Sequence, residues 1–200
     1  MKVLKIGYFS PPCPVSPEVF KIPVGDEIIV YAPRLGILGL FEKSEEKARE
    51  KFDGFYKGVA TYYLAEILQD ELENEEILPL INESYKMVME DRDIKDWSFF
   101  ANRVVTFLGK IMERKRELRE AIIRFNEARD IIRDNVEKFE DPLYLSAFGH
   151  TLYSLGKAYL KLRDFERAES ELRKAAEYLI SALKIADWRD PYALGVFVLV

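Results

Sequence analysis

Two hundred residues with 30 Lys and Arg against 35 Asp and Glu carry a net charge of −5, with 48% hydrophobic and 13% aromatic residues. So many aromatics exclude a charge-rich disordered chain, and the acidic balance argues against a protein that coats nucleic acid. The length suits one domain, or one with a small appendage.

Residues 1–43 hold most of the prolines and several glycines. Their short β-branched and aromatic runs, VLKIGYF, EIIVYA and GILGLF, are split by Pro11-Pro12, Gly25-Asp26 and Pro33. This pattern predicts a small antiparallel sheet of two to four strands, too small to be stable alone and so packed on the rest of the chain. Cys13 is the single cysteine, set in SPPCPVSP, so an internal disulfide is excluded and no metal site is expected. The opening MKVLKIGYFSPP is too short in apolar residues for a signal peptide, and no run approaches the ~18 residues of a membrane span. A cytoplasmic location is expected.

Residues 44–200 change to a helical period. SEEKAREKFDGFYKGVATYYLAEILQDELENEE opens on Ser44 as an N-cap, with Phe55, Val59, Tyr62, Tyr63 and Ile67 on one face. A second helix is predicted over about Ile77–Met89, with Pro79 in its first turn, ended by Asp91-Arg92-Asp93. Helices follow over about 95–115, 117–139, 142–162 and 165–186. Asp141-Pro142 supplies an N-cap and a proline at the first helical position, and Asp190-Pro191 repeats it. Links this short make neighbouring helices antiparallel. In the final DPYALGVFVLV, Val196, Phe197, Val198 and Leu199 are expected to be covered, within the chain or in a homodimer. Glutamine occurs only at Gln69 while Glu, Lys and Arg abound, a bias expected of a thermophilic source.

The chain repeats itself. FLGKIMERKRELREAIIRFNEA aligns with YSLGKAYLKLRDFERAESELRKAA through Leu-Gly-Lys, Gly109 falling on Gly156, 47 positions later. Val105 then matches Leu152, Leu108 matches Leu155 and Leu118 matches Phe165. Ala121 matches Ala168, Phe125 matches Leu172 and Ala128 matches Ala175. A glycine inside a helix costs about 1 kcal/mol against alanine, and close crossing of two helices at Gly156 and Ala168 offsets that cost. A weaker copy is legible upstream, with Leu64-Ala65 in place of Leu-Gly, followed by Ile77, Ile81 and Ser84.

This spacing of small and large residues resembles the tetratricopeptide repeat, carried best by Leu152, Leu155, Gly156, Tyr159, Phe165, Ala168 and Ala175. The earlier copy departs from it at Met112, where the family has tyrosine. Neither copy has the family's closing proline, Arg133 and Ile180 standing there, so the second helices run on. The resemblance covers residues 102–186, with copies at about 102–135 and 149–182. It implies antiparallel helical hairpins, stacked as an α-α superhelix or a repeat-like bundle, and partners held in the groove of each hairpin's first helix. The groove positions it implies are Arg103, Thr106, Lys110, Glu113 and Arg114, then His150, Tyr153, Lys157, Leu160 and Lys161. Five cations and one carboxylate make a basic stripe in an acidic protein. Thr106 and Tyr153 depart from the pattern by which some members of the family clamp a terminal carboxylate.

No catalytic constellation is expected. His150 is the only histidine, the serines lie in helices, and Gly36, Gly39 and Gly58 are too scattered for a phosphate loop. Neither a cofactor nor a metal is called for, and LQDELENEE is a solvated acidic run. MERKRELRE, with Arg114, Lys115, Arg116 and Arg119, interleaves glutamates that make it a paired helical surface. The expected function is a protein-interaction scaffold that holds an acidic or extended segment. Tyr153 and Leu160 would give apolar contact, and Arg103, Lys110, Lys157 and Lys161 would set the register. The alternatives are a nucleic-acid-associated subunit using the same stripe, or a structural homo-oligomer.

Overall fold

The computed structural model describes residues 20–24, 27–32, 37–39, 54–69, 72–94, 97–138 and 140–185. It is mainly helical. The helices are α1 (Gly54–Leu68), α2 (Asn74–Glu90), α3 (Trp97–Arg114), α4 (Leu118–Lys138), α5 (Pro142–Lys161) and α6 (Phe165–Ile185). No side chain of residues 1–53 is among those described, so the expected β element, Ser44, Cys13 and the expected boundary at 43/44 lie outside them, as do residues 186–200.

Local chemistry sets the helix starts. The Asp141 carboxylate accepts the Leu143 N–H at 2.9 Å with Pro142 at the first position of α5. The Asp164 carboxylate accepts the Arg167 N–H at 3.2 Å at the head of α6. At α2 the Glu73 N–H donates to Glu76 at 3.2 Å, half of a capping box. Two expectations are corrected here. The first helix does not run through LQDELENEE but stops at Leu68, and Glu75 and Glu76 form the first turn of α2, where negative charge suits the helix dipole. Because α2 begins at Asn74, Pro79 lies inside the helix rather than in its first turn, and its missing N–H forfeits a ladder bond.

The turns that join α3 to α4 and α5 to α6 are the same structure. Arg116 and Arg163 adopt φ of 65° and 62°. Around Arg116, the Arg116 N–H donates to Glu113 O and the Glu117 N–H to Met112 O; around Arg163, the Arg163 N–H donates to Leu160 O and the Asp164 N–H to Tyr159 O. This is the Schellman pattern, with arginine where glycine is usual. Every atom pair in one turn has its counterpart 47 residues along in the other.

Equivalent contacts recur inside the hairpins too. A Cβ built on Gly109 would lie 2.5 Å from the Phe125 ring, and one on Gly156 would lie 2.7 Å from Leu172. The expected approach of glycine to alanine is seen at Gly156, where a Cβ would also lie 3.3 Å from Ala168 O. Ala121 and Ala168 are fully buried, yet the space each glycine vacates is filled by the large side chain one turn further on. Seven residues before the glycine, a second point of approach appears in three hairpins. Ser84 Oγ donates to Gly58 O at 2.7 Å, Asn102 Nδ2 donates to Ala128 O at 2.9 Å, and a Cβ on Gly149 would lie 3.3 Å from Ala175 O. Each pair is 26 residues apart. That register places α1–α2 as a third equivalent hairpin, with Ala65 at the Gly109 position and Ala65, Ile77, Ile81 and Ser84 all fully buried.

Consecutive helices pack on one another, and α3 also touches both α1 and α5. The first helices of the three hairpins are therefore neighbours. Tyr62, Ile77, Ile81, Ile111, Ile132, Leu152, Leu179 and Leu183 fill the core between the layers. A buried polar link ties α3 to α5: Asn102 Nδ2 also donates to Thr151 Oγ1 at 2.9 Å, and the Thr106 and Thr151 hydroxyls lie 3.0 Å apart.

Candidate functional site: the face of the first helices

Because α1, α3 and α5 are neighbours, the side chains on their shared outer side form one face. Arg103, Lys110 and Arg114 are spaced by seven and four residues on α3, so they project together; His150, Tyr153, Lys157 and Lys161 do the same on α5. The polar groove positions expected from sequence lie on α3 and α5 at helical spacing. Of these, Thr106 is buried at 4% exposure in its contact with Thr151 and presents nothing to a ligand.

The edges of the face are charge-balanced. Arg103 donates from Nη2 to Glu66 Oε1 at 3.1 Å and from Nε to Tyr62 Oη at 3.1 Å, while the Tyr62 hydroxyl donates to Glu66 at 2.8 Å. This Tyr–Glu–Arg triad bridges α1 and α3. Tyr85, Glu127 and Arg124 make a second triad between α2 and α4, with a 2.8 Å bond from Tyr85 to Glu127 and a 3.0 Å bond from Arg124. At the other end Lys161 crosses from α5 to Glu113 at 2.6 Å. Arg114 donates to the neutral amide of Gln69 at 2.9 Å. Leu160 is exposed beside Lys161.

The centre is not balanced. Among the described residues no carboxylate pairs with Lys110 or Lys157; the Lys157 ammonium lies 5.4 Å from the centre of the Tyr153 ring. Burial pulls the Lys110 ammonium down from 10.5 to about 8; Arg103, Arg114 and Lys157 push it the same way and Glu66 opposes them. Burial, then the charges of Lys110, Arg103 and Lys157, hold the His150 imidazole well below 6.5. His150 is thus neutral near pH 7, and among the described residues the face carries Lys110, Lys157 and Arg114 in excess of its carboxylates. Such a surface attracts an anion, and an aromatic ring and a leucine flank it.

Tyr62, Glu66 and Gln69 were missed by sequence reasoning. Their signal was present. Counting four, eight and eleven residues from Gly58, as from Asn102 and Gly149, lands on those three residues. Within MERKRELRE, Lys115 meets Glu117 at 3.1 Å and Glu120 meets Arg124 at 3.2 Å, while Arg114 turns to Gln69. Among the described residues no group of three His, Cys, Asp or Glu is placed to hold a metal, and no helix is long and apolar enough to cross a membrane. No protein-family model matches the chain, and neither does any curated protein.

Proposed function

We propose that this protein is an interaction scaffold of tetratricopeptide-like type, whose first-helix face holds an acidic, extended segment of another protein. The observation that carries the reading is that, among the described residues, no carboxylate pairs with Lys110, Lys157 or Arg114 on adjacent helices of an acidic chain. An ordinary solvated helix pairs its lysines or spreads them; here they converge where the carboxylates have already been used at the edges. The resemblance in residues 102–186 supports the choice of a protein partner, and so does the recurrence of one contact scheme in three hairpins. Tyr153 and Leu160 would add apolar contact and set specificity.

Selection of a random peptide library on the immobilised protein tests this. Asp/Glu-rich sequences that carry an apolar residue should be enriched, and Lys157→Glu should abolish the enrichment. Peptides without an acidic bias would sink the reading. So would tighter binding of a mixed-sequence RNA oligonucleotide, its affinity falling steeply with salt as phosphate contacts require.

A further inference from the structure

We propose that the tip joining α5 to α6 seats an apolar residue of the occupant, bracketed in the occupant's own chain by carboxylates. The inference rests on the scaffold reading and names the kind of sequence the protein selects. Leu160, Leu162 and Phe165 are 42%, 43% and 65% exposed within six consecutive residues. The turn does not require them. The matching turn between α3 and α4 has the same backbone, and there the three positions hold Glu113, Lys115 and Leu118. In that hairpin Lys115 pairs with Glu117 at 3.1 Å, Glu113 meets Lys161 at 2.6 Å, and Leu118 is half-buried. The later tip thus leaves three large apolar side chains in water with no folding reason, as a contact surface does.

Charge indicates what covers it. Lys157 lies one turn before Leu160, and Arg163 lies between Leu162 and Phe165. Lys161 is taken by Glu113, and Arg167 by Asp164 at 3.4 Å; among the described residues no carboxylate pairs with Lys157 or Arg163. An apolar residue with an acidic neighbour on each side fits this order, one carboxylate reaching Lys157 and the other Arg163. A second copy of the chain fits it less well. The three side chains leave on the order of 300 Å² open, taking a large side chain as roughly 150–250 Å². A stable interface needs about 800 Å² a side. A membrane is disfavoured too, because seating Phe165 would bring the Asp164 and Glu166 carboxylates against an anionic surface.

Fluorescence anisotropy of the full chain with labelled peptides EELFEE, EEEEEE and GGLFGG tests this. EELFEE should bind about tenfold tighter than EEEEEE, the worth of covering one leucine-sized side chain. Leu162→Ser and Phe165→Ser should each remove most of that advantage while leaving EEEEEE binding and the melting temperature unchanged, both positions being exposed. Arg163→Gly should weaken EELFEE and spare GGLFGG. Equal binding of EELFEE and EEEEEE, or an advantage that survives both serine variants, overturns the inference and leaves the scaffold reading standing. If GGLFGG binds as tightly as EELFEE, the acidic bracket falls and the acidic-segment reading falls with it. Binding of none of the three overturns both. A dimer in sedimentation that Phe165→Ser dissolves would assign the tip to a second copy instead. Binding to phosphatidylserine-containing vesicles that Phe165→Ser abolishes would assign it to a membrane, and either result overturns the proposal.

Discussion

Gly109 and Phe125 share one space: a methyl group on the first would stand 2.5 Å from the ring of the second. The corresponding pair in the next hairpin, Gly156 and Leu172, differs in what the neighbour can do. Phe125 is fully buried and has nowhere to go, while Leu172 is only partly buried and ends in a flexible branch. Gly109→Ala should therefore destabilise the protein by about 1–3 kcal/mol, as overpacking usually does, despite the ~1 kcal/mol gained in helix propensity. Gly156→Ala should be much milder, within about 1 kcal/mol of neutral. Urea denaturation compares them, and Phe125→Leu added to Gly109→Ala should recover part of the loss.

Arg116 and Arg163 hold left-handed backbone at φ of 65° and 62°, a region costly to a residue with a Cβ. Arg163→Gly should stabilise by about 0.5–1 kcal/mol, the relief of strain exceeding the added freedom of the unfolded chain. Arg116→Gly should do the same, and the two gains should add, the sites lying in separate turns. Thermal denaturation by circular dichroism would read both.

Asn102 reads as a sequence-level oddity because its counterpart in the next hairpin is Gly149. Its amide spans α4 and α5 at once, through Ala128 O and Thr151 Oγ1, both at 2.9 Å. Asn102→Ala should cost about 1–3 kcal/mol by stranding buried acceptors. Thr151→Val should cost less on its own, and a double-mutant cycle should show coupling of about 0.5 kcal/mol or more.

Two groups on the first-helix face make stability depend on pH. Native His150 stays neutral below 6.5 while the unfolded chain protonates there, so the unfolded state holds more protons and stability falls as pH drops through 6.5 and below. His150→Asn should flatten that limb. Lys110 gives up its proton near 8 in the native state and near 10.5 when unfolded, so stability rises between those values. Lys110→Met should be more stable than the wild type near pH 7, by an amount on the order of 2–3 kcal/mol. The gap should close as pH approaches 10.5. A constant gap in guanidinium melts across that range would contradict the assignment.

The later helices were legible in sequence to within two residues, because Asp141-Pro142 writes one boundary openly and Leu-Gly-Lys occurs twice in one register. The acidic stretch LQDELENEE hid a boundary: it contains no glycine or proline, and glutamate suits both a helix interior and a helix start. Arg116 and Arg163 hid two Schellman turns for the same reason, glycine being the usual mark. The basic stripe on α3 and α5 followed from the groove positions that the resemblance implies. That Glu66 and Glu113 would neutralise its edges and leave its middle bare could not, since ion pairs between helices depend on how the helices lean together.

The matching joints at Arg116 and Arg163 have a use beyond stability. Where two bends have the same backbone, a cut through one fits a cut through the other. Excising residues 116–162 would splice Lys115 onto Arg163 with the bend preserved, and inserting that stretch a second time would add one whole hairpin. The number of hairpins in the stack is then a matter of how many units the gene encodes, with no joint to redesign.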